Sequence, residues 1–90
     1  QHLKAIAFPN PFNNNISIRY ALFENTNVVI EFKDILGRKI STHNTGKQME
    51  GIKEFVWNGK NDNGEFVTQG VYFYTIRAGN EVCEGKIIKQ

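Results

Sequence analysis

"ISIRYAL", residues 16–22, sets Ile16, Ile18, Tyr20 and Leu22 at every second position, with Ser17 and Arg19 between them. Successive side chains of an extended chain point to opposite faces, so this spacing makes one apolar and one polar face. A helix would scatter the same residues around its circumference. Period two over this length predicts a half-buried strand. "VVIEFK" (28–33) repeats the pattern, with Val28, Ile30 and Phe32 inward against Glu31 and Lys33.

Working outward, "RKIST" (38–42) reads as a shorter, more polar strand. "KEFVWN" (53–58) would bury Phe55 and Trp57, and "VYFYTIRA" (71–78) would bury Tyr72, Tyr74 and Ile76. "EVCEGKIIK" (81–89) supplies a last strand, and "KAIAF" (4–8) is a weaker opening one. Turn chemistry separates these runs. "DILG" (34–37) has Asp at the first turn position and Gly where a positive φ is needed, which suits a type I turn with a glycine bulge. "NDNG" (61–64) repeats that logic after the Trp57 strand, and "AGNE" (78–81) joins the last two strands. No segment shows a helical period. About seven short strands at this spacing predict an all-β fold, an immunoglobulin-like antiparallel sandwich.

Bulk properties narrow the function. Ninety residues make a single domain, 1–90, with no room for a second core. Net charge is +2 with both signs intermixed, which argues against nucleic acid or anionic lipid as the main partner. No apolar run is long enough for membrane insertion through a helix. No secretory signal opens the chain, but a start at Gln1 without Met suggests a piece of a longer polypeptide. Cys83 is the only cysteine, so the fold has no internal disulfide. It lies in a strand-like run without a nearby His, which reads as a packing residue and not a reactive thiol.

Catalysis finds little support. His2 and His43 have no metal-ligating partner at a usable spacing, and no nucleophile, phosphate-loop or metal-protease motif is present. A non-enzymatic role is expected, with no cofactor. "NGKNDNGE" (58–65) invites a calcium reading. With Gly64 at the sixth place of an EF-hand loop, however, the first and last places fall on Gly59 and Gly70, which offer no side-chain ligand. Trp57, Tyr72, Phe73 and Tyr74 suggest a stacking platform for sugars. The competing reading, that Trp57, Tyr72 and Tyr74 are core and only Phe73 faces outward, is preferred.

Four segments, in order, resemble one family. "FPNPFNNNISIRYAL" (8–22), "VVIEFKDILGRKI" (28–40), "GIKEFVWNGKNDNGEFVTQGVYFYTI" (51–76) and the closing "GKIIKQ" (85–90) look like the C-terminal sorting domains of the bacterial type IX secretion system. The same glycine and aromatic pattern is similar to the immunoglobulin-like part of flagellar hook-capping proteins and to spacer domains of large extracellular hydrolases. The first resemblance implies a module of Bacteroidetes-type bacteria that directs an N-terminal passenger across the outer membrane. The passenger would be secreted or kept at the cell surface, and the module removed by a sortase-like peptidase. It assigns recognition by the translocon to Pro9, Asn10, Pro11, Gly70, Val71, Tyr72, Lys86, Ile87, Ile88 and Lys89. Cys83 and Gly85 depart from the pattern beside the final motif, and Lys89 stands where an apolar residue is common.

Physics gives each motif a plainer role as well. Pro9 and Pro11 fix φ and remove two amide donors, which suits a rigid approach to the first long strand. Gly70 would turn the chain into its strand. The last strand would pair on one side and leave its other edge open to a partner, with Lys86 and Lys89 either steering that partner or discouraging unwanted pairing. A monomer is expected.

Overall fold

The computed structural model describes residues 2–90. Gln1, the first residue of the expected 1–90 domain, lies outside the described residues. Seven strands form: β1 (Ala5–Phe8), β2 (Ile16–Leu22), β3 (Thr26–Lys33), β4 (Lys39–Gln48), β5 (Gly51–Trp57), β6 (Gly70–Ala78) and β7 (Glu81–Lys89). They make two antiparallel sheets, β1-β2-β5 and β4-β3-β6-β7, packed face to face. This is the immunoglobulin-like sandwich that the period-two runs predict.

The alternation does what it promises. Ile16, Ile18, Tyr20 and Leu22 of β2 face Val28, Ile30 and Phe32 of β3 and Tyr72, Tyr74 and Ile76 of β6 across the interior, and all are buried. Trp57 closes one end. Its indole stacks on Phe32 of the opposite sheet, with centroids 3.9 Å apart and planes 12° from parallel. Its ring N–H donates to the Lys60 carbonyl at 3.0 Å, so the polar atom is not stranded by burial. Phe55 is only half-buried, because it packs at the rim against His43 (4.8 Å) beside Phe32.

Two sequence expectations need correction. β4 runs to Gln48, well past the expected 38–42, because pairing with β3 carries it through polar residues whose outer side meets solvent. Near a register shift at Val28/Val29, the Thr45 hydroxyl donates to the Val28 carbonyl at 2.8 Å. "NDNG" keeps the expected turn chemistry, with Gly64 at φ +82° and an antiparallel Lys60–Phe66 bridge across it, but it is not a hairpin between two of the seven strands. It closes a small turn, with Gly64 N–H to Asn61 C=O at 3.0 Å, inside the loop that carries the chain from β5 over to β6 in the other sheet. "DILG" closes as expected: Gly37 takes φ +80°, and the Asp34 carboxylate accepts from the Leu36 and Arg38 amides.

Gly85, a departure at the sequence level, has a steric cause. It sits opposite Tyr74 in the β6–β7 ladder, and a Cβ there would fall on the Tyr74 ring. The ring covers the backbone that a side chain would otherwise fill. Gly85→Ala should cost about 1–3 kcal/mol in urea denaturation, and less in a Tyr74→Leu background. A neutral or stabilising Gly85→Ala would show that the ring moves aside freely.

Among the described residues Glu31 is the one buried carboxylate, on an outer face, with Lys39 Nζ at 3.0 Å and Arg77 Nε at 3.7 Å. The Lys39 hydrogen bond holds its carboxyl below the ordinary glutamate range. Burial opposes this, and the charges of Lys39, Lys33 and Arg77 add to it. A depressed folded-state pKa gives stability that is full above the unfolded value, about 4.3, and lost as pH falls through the folded value. Thermal melts should therefore show the unmodified protein losing more stability between about pH 6 and pH 3 than Glu31→Gln does. Parallel losses would remove Glu31 as a source of the pH dependence.

Candidate functional site

The three motif segments singled out in the sequence come together in space. After β1 the chain passes through Pro9–Asn10–Pro11, with both X-Pro bonds cis, and leaves the three-stranded sheet to reach the last strand of the other sheet. There Asn10 works as a two-pronged clasp. Its Nδ2 donates to the Lys86 carbonyl at 3.0 Å, and its Oδ1 accepts from the Ile88 amide at 2.9 Å. Phe12 continues the pairing through its backbone. Its N–H donates to Ile88 C=O at 2.9 Å, and its C=O accepts from Gln90 N–H at 2.8 Å. The Phe12 side chain is buried against Trp57, 6.0 Å between centroids.

This overturns the expectation of an open final edge. Along residues 86–90 the side of β7 that faces away from β6 is occupied by Asn10 and Phe12. The reason is the cost of unpaired backbone groups at a sheet edge, which the chain meets with its own N-terminal segment. The opposite edge of that sheet is treated alike. The Asp62 amide donates to Ile40 C=O at 3.0 Å, and its carboxylate accepts from the Thr42 amide at 3.1 Å. Asp62 of the calcium-like stretch is thus an edge cap.

On the other side, β7 pairs with β6 so that Gly70, Val71 and Tyr72 lie opposite Lys89, Ile88 and Ile87. The tail alternates in direction. Ile87 is fully buried, and the Lys89 stem reaches over Phe12, with its ammonium 6.0 Å from the ring centroid and 2.8 Å from the Gln90 carbonyl. Lys89 in place of an apolar residue is a cover for that ring. Lys86 and Ile88 take the opposite, outer face, Ile88 beside Val71, and Lys86 beside Phe73 with Lys33 on its other flank. Phe73 is outward, as expected, and half-buried between them. Pro9, Asn10 and Pro11 are exposed. Gly70 opens β6 with φ +153°, and the Tyr72 hydroxyl donates to the Thr68 carbonyl at 2.7 Å.

The other candidates are structural in geometry. Trp57 is 1% exposed, and Tyr72 and Tyr74 are also buried, so these rings offer no face to a sugar. His43 is wedged between Phe32 and Phe55, with Nε2 3.1 Å from the Ser41 hydroxyl, and burial lowers its pKa. Burial raises the Cys83 thiol, which keeps it protonated beside the core. Among the described residues, no group of three His, Cys, Asp or Glu is placed to hold a metal ion. Sequence reasoning missed Phe12 and Asp62. The one readable signal was an aromatic following Pro11 in an otherwise polar run.

Fold and clasp together define an immunoglobulin-like module without a disulfide. Residues 13–81 match the FlgD Ig-like domain family, and the chain belongs to it. Among solved structures it is similar to dimeric latent PorU from Porphyromonas gingivalis, at 23% identity and a TM-score of 0.78, over 97% of this chain and 9% of that one. PorZ, an essential surface component of the type-IX secretion system of the same bacterium, matches at 18% identity and TM-score 0.70, over 96% and 11%. FlgD from Xanthomonas campestris, studied for the hook capping essential for flagellar assembly, matches at 18% and 0.67, over 98% and 62%. The chain spans about a tenth of the length of the first two. A search of curated proteins gave no match.

If Asn10 is what closes the edge, Asn10→Ala should cost about 1–2 kcal/mol, two modest hydrogen bonds. It should also speed amide exchange at Ile88 while leaving Ile87, whose amide faces β6, protected. Equal exchange at Ile88 in both proteins would place the closure on Phe12 alone.

Proposed function

We propose that this domain is a non-enzymatic sorting module, read by the type IX secretion machinery to carry an N-terminal passenger across the outer membrane. The observation that carries the reading is the convergence of Pro9–Pro11, Gly70–Tyr72 and Lys86–Lys89 on one edge and its outer face. Segments far apart in sequence become a single surface that exists only in the folded domain. Recognition would then report that folding is complete. The likeness to PorZ, itself a component of that system, supports the same reading. Leu3 lies near Leu22 and Ala78 at the end of the sandwich opposite this surface, so a passenger joined ahead of it would leave the surface clear. Cleavage by a sortase-like peptidase would fall upstream of "KAIAFPNP" (4–11). The passenger would end secreted or at the cell surface.

Membership of the FlgD Ig-like family favours a second reading, a structural spacer or assembly module of a larger extracellular protein. An export assay separates the two. Deleting residues 86–90 would strip Ile87 from the core, so the informative variants are the outward Lys86→Glu and Ile88→Glu. In a host with the type IX machinery, a periplasmic reporter fused ahead of the domain should reach the surface or medium. The double variant should hold it in the periplasm with the domain folded. Undiminished export of the double variant, or no export of the unmodified fusion, would move the assignment to the spacer.

A further inference from the structure

At the same end of the sandwich lies a groove of about 560 Å³, between the β3–β4 turn and the stretch that leads into β6. Ile35 and Leu36 of the turn, Phe66 and Val67 of that stretch, and Val71 of β6 are among the residues that line it. Ile35, Leu36 and Phe66 are 68%, 72% and 70% exposed. A single exposed aliphatic residue is ordinary, but three on two separate loops lining one groove form a patch. Turn positions favour polar residues, and neither the turn nor the core needs these side chains where they are.

The backbone adds a second feature. The β3–β6 ladder ends at the Lys33–Phe73 pair, while β6 continues to Gly70 against β7. The clasp occupies Lys86 and Ile88 on the far edge of β7, so Ile87 points its amide and carbonyl to β6, and its partner Tyr72 points back. By strand alternation the Val71 amide and carbonyl point the other way, past the end of β3 and toward the groove. No turn or loop backbone hydrogen bond takes them among the described residues. The place is an unfilled strand position with apolar walls.

The charged residues of the groove's lining, Asp34 and Arg38, pair with each other, and lysines stand beside it. Lys60 stands over Phe66 at 5.0 Å, and Lys33 and Lys86 flank Phe73 in the row beside Val71. None of the three is in a salt bridge among the described residues, whereas Asp34 is held by Arg38 at 2.8 Å. Asp62 and Glu65 are engaged with the Thr42 amide and the Asn61 side chain.

We infer that the groove receives an extended segment of a partner protein, added beside β6 at Val71, with apolar side chains between Leu36 and Phe66 and carboxylates toward the lysines. This occupant fits the domain both as a sorting module and as a spacer. The probe is a capped hexapeptide of alternating valine and glutamate, titrated into isotope-labelled protein of residues 1–90, with a valine–lysine hexapeptide as control. The Val71 amide should exchange freely in the unliganded protein and at least about tenfold more slowly with the acidic peptide. Shifts should centre on Val71 and residues 34–38. Leu36→Asp and Phe66→Asp, both on exposed side chains, should each weaken binding about tenfold while core resonances stay in place. The inference is overturned if Val71 is already protected without peptide. It also falls if about 1 mM acidic peptide moves nothing, if the lysine peptide binds equally well, or if phosphatidylglycerol vesicles alone shift these resonances.

Discussion

The Trp57–Phe32 stack is the contact on which the rest is built. It is the closest aromatic pair in the fold, and it joins β5 of one sheet to β3 of the other. Around it lie Phe12 from the clasp segment, at 6.0 Å, and Tyr72 from the start of β6, edge-on at 6.2 Å. The indole N–H holds the Lys60 carbonyl, which fixes the start of the long crossing loop. One buried ring therefore sets the position of the N-terminal clasp, the β6 motif and the loop beside the groove. Without a disulfide across the sheets, that dependence is physical necessity: a domain this small has only its packed core to hold two sheets in register.

The clasp follows from a second constraint, the exposed edge. A four-stranded sheet has two edges, and each invites pairing with another chain. Here both are covered toward the same end, β7 by Asn10 and Phe12 and β4 by Asp62. Side-chain amides and carboxylates stand in for a neighbouring strand and satisfy backbone groups without extending the sheet. The open strand position beside Val71 stands out against that background, since it lies between two protected edges and has apolar walls.

Much of the fold could be read from the sequence. Period-two spacing in "ISIRYAL" and "VVIEFK" identified the inward residues, and Asp34 with Gly37 identified the tight hairpin. Both are local signals, set by strand geometry and turn dihedrals. β4 was underestimated because its support comes from β3's backbone and leaves little trace in its own side chains. The Asn10–Lys86 and Asn10–Ile88 bonds span 76 and 78 positions, and no local pattern announces them. Proline spacing suggested a rigid approach to β2 but not which strand the segment would cover.

The tail also divides between packing and surface. In "KIIK" the residues divide by direction: Ile87 points into the core and Lys89 lies over the buried Phe12 ring, while Lys86 and Ile88 point outside. The inward pair answers to packing alone, since any partner meets the folded domain with Ile87 already covered. Whatever information the tail carries to another protein must lie in Lys86, Ile88 and the residues they touch on the outer face, Phe73 and Val71. A motif that looks like four adjacent residues is thus half core and half surface. Its surface half is completed by β6 and held in place by Asn10 from the other end of the chain.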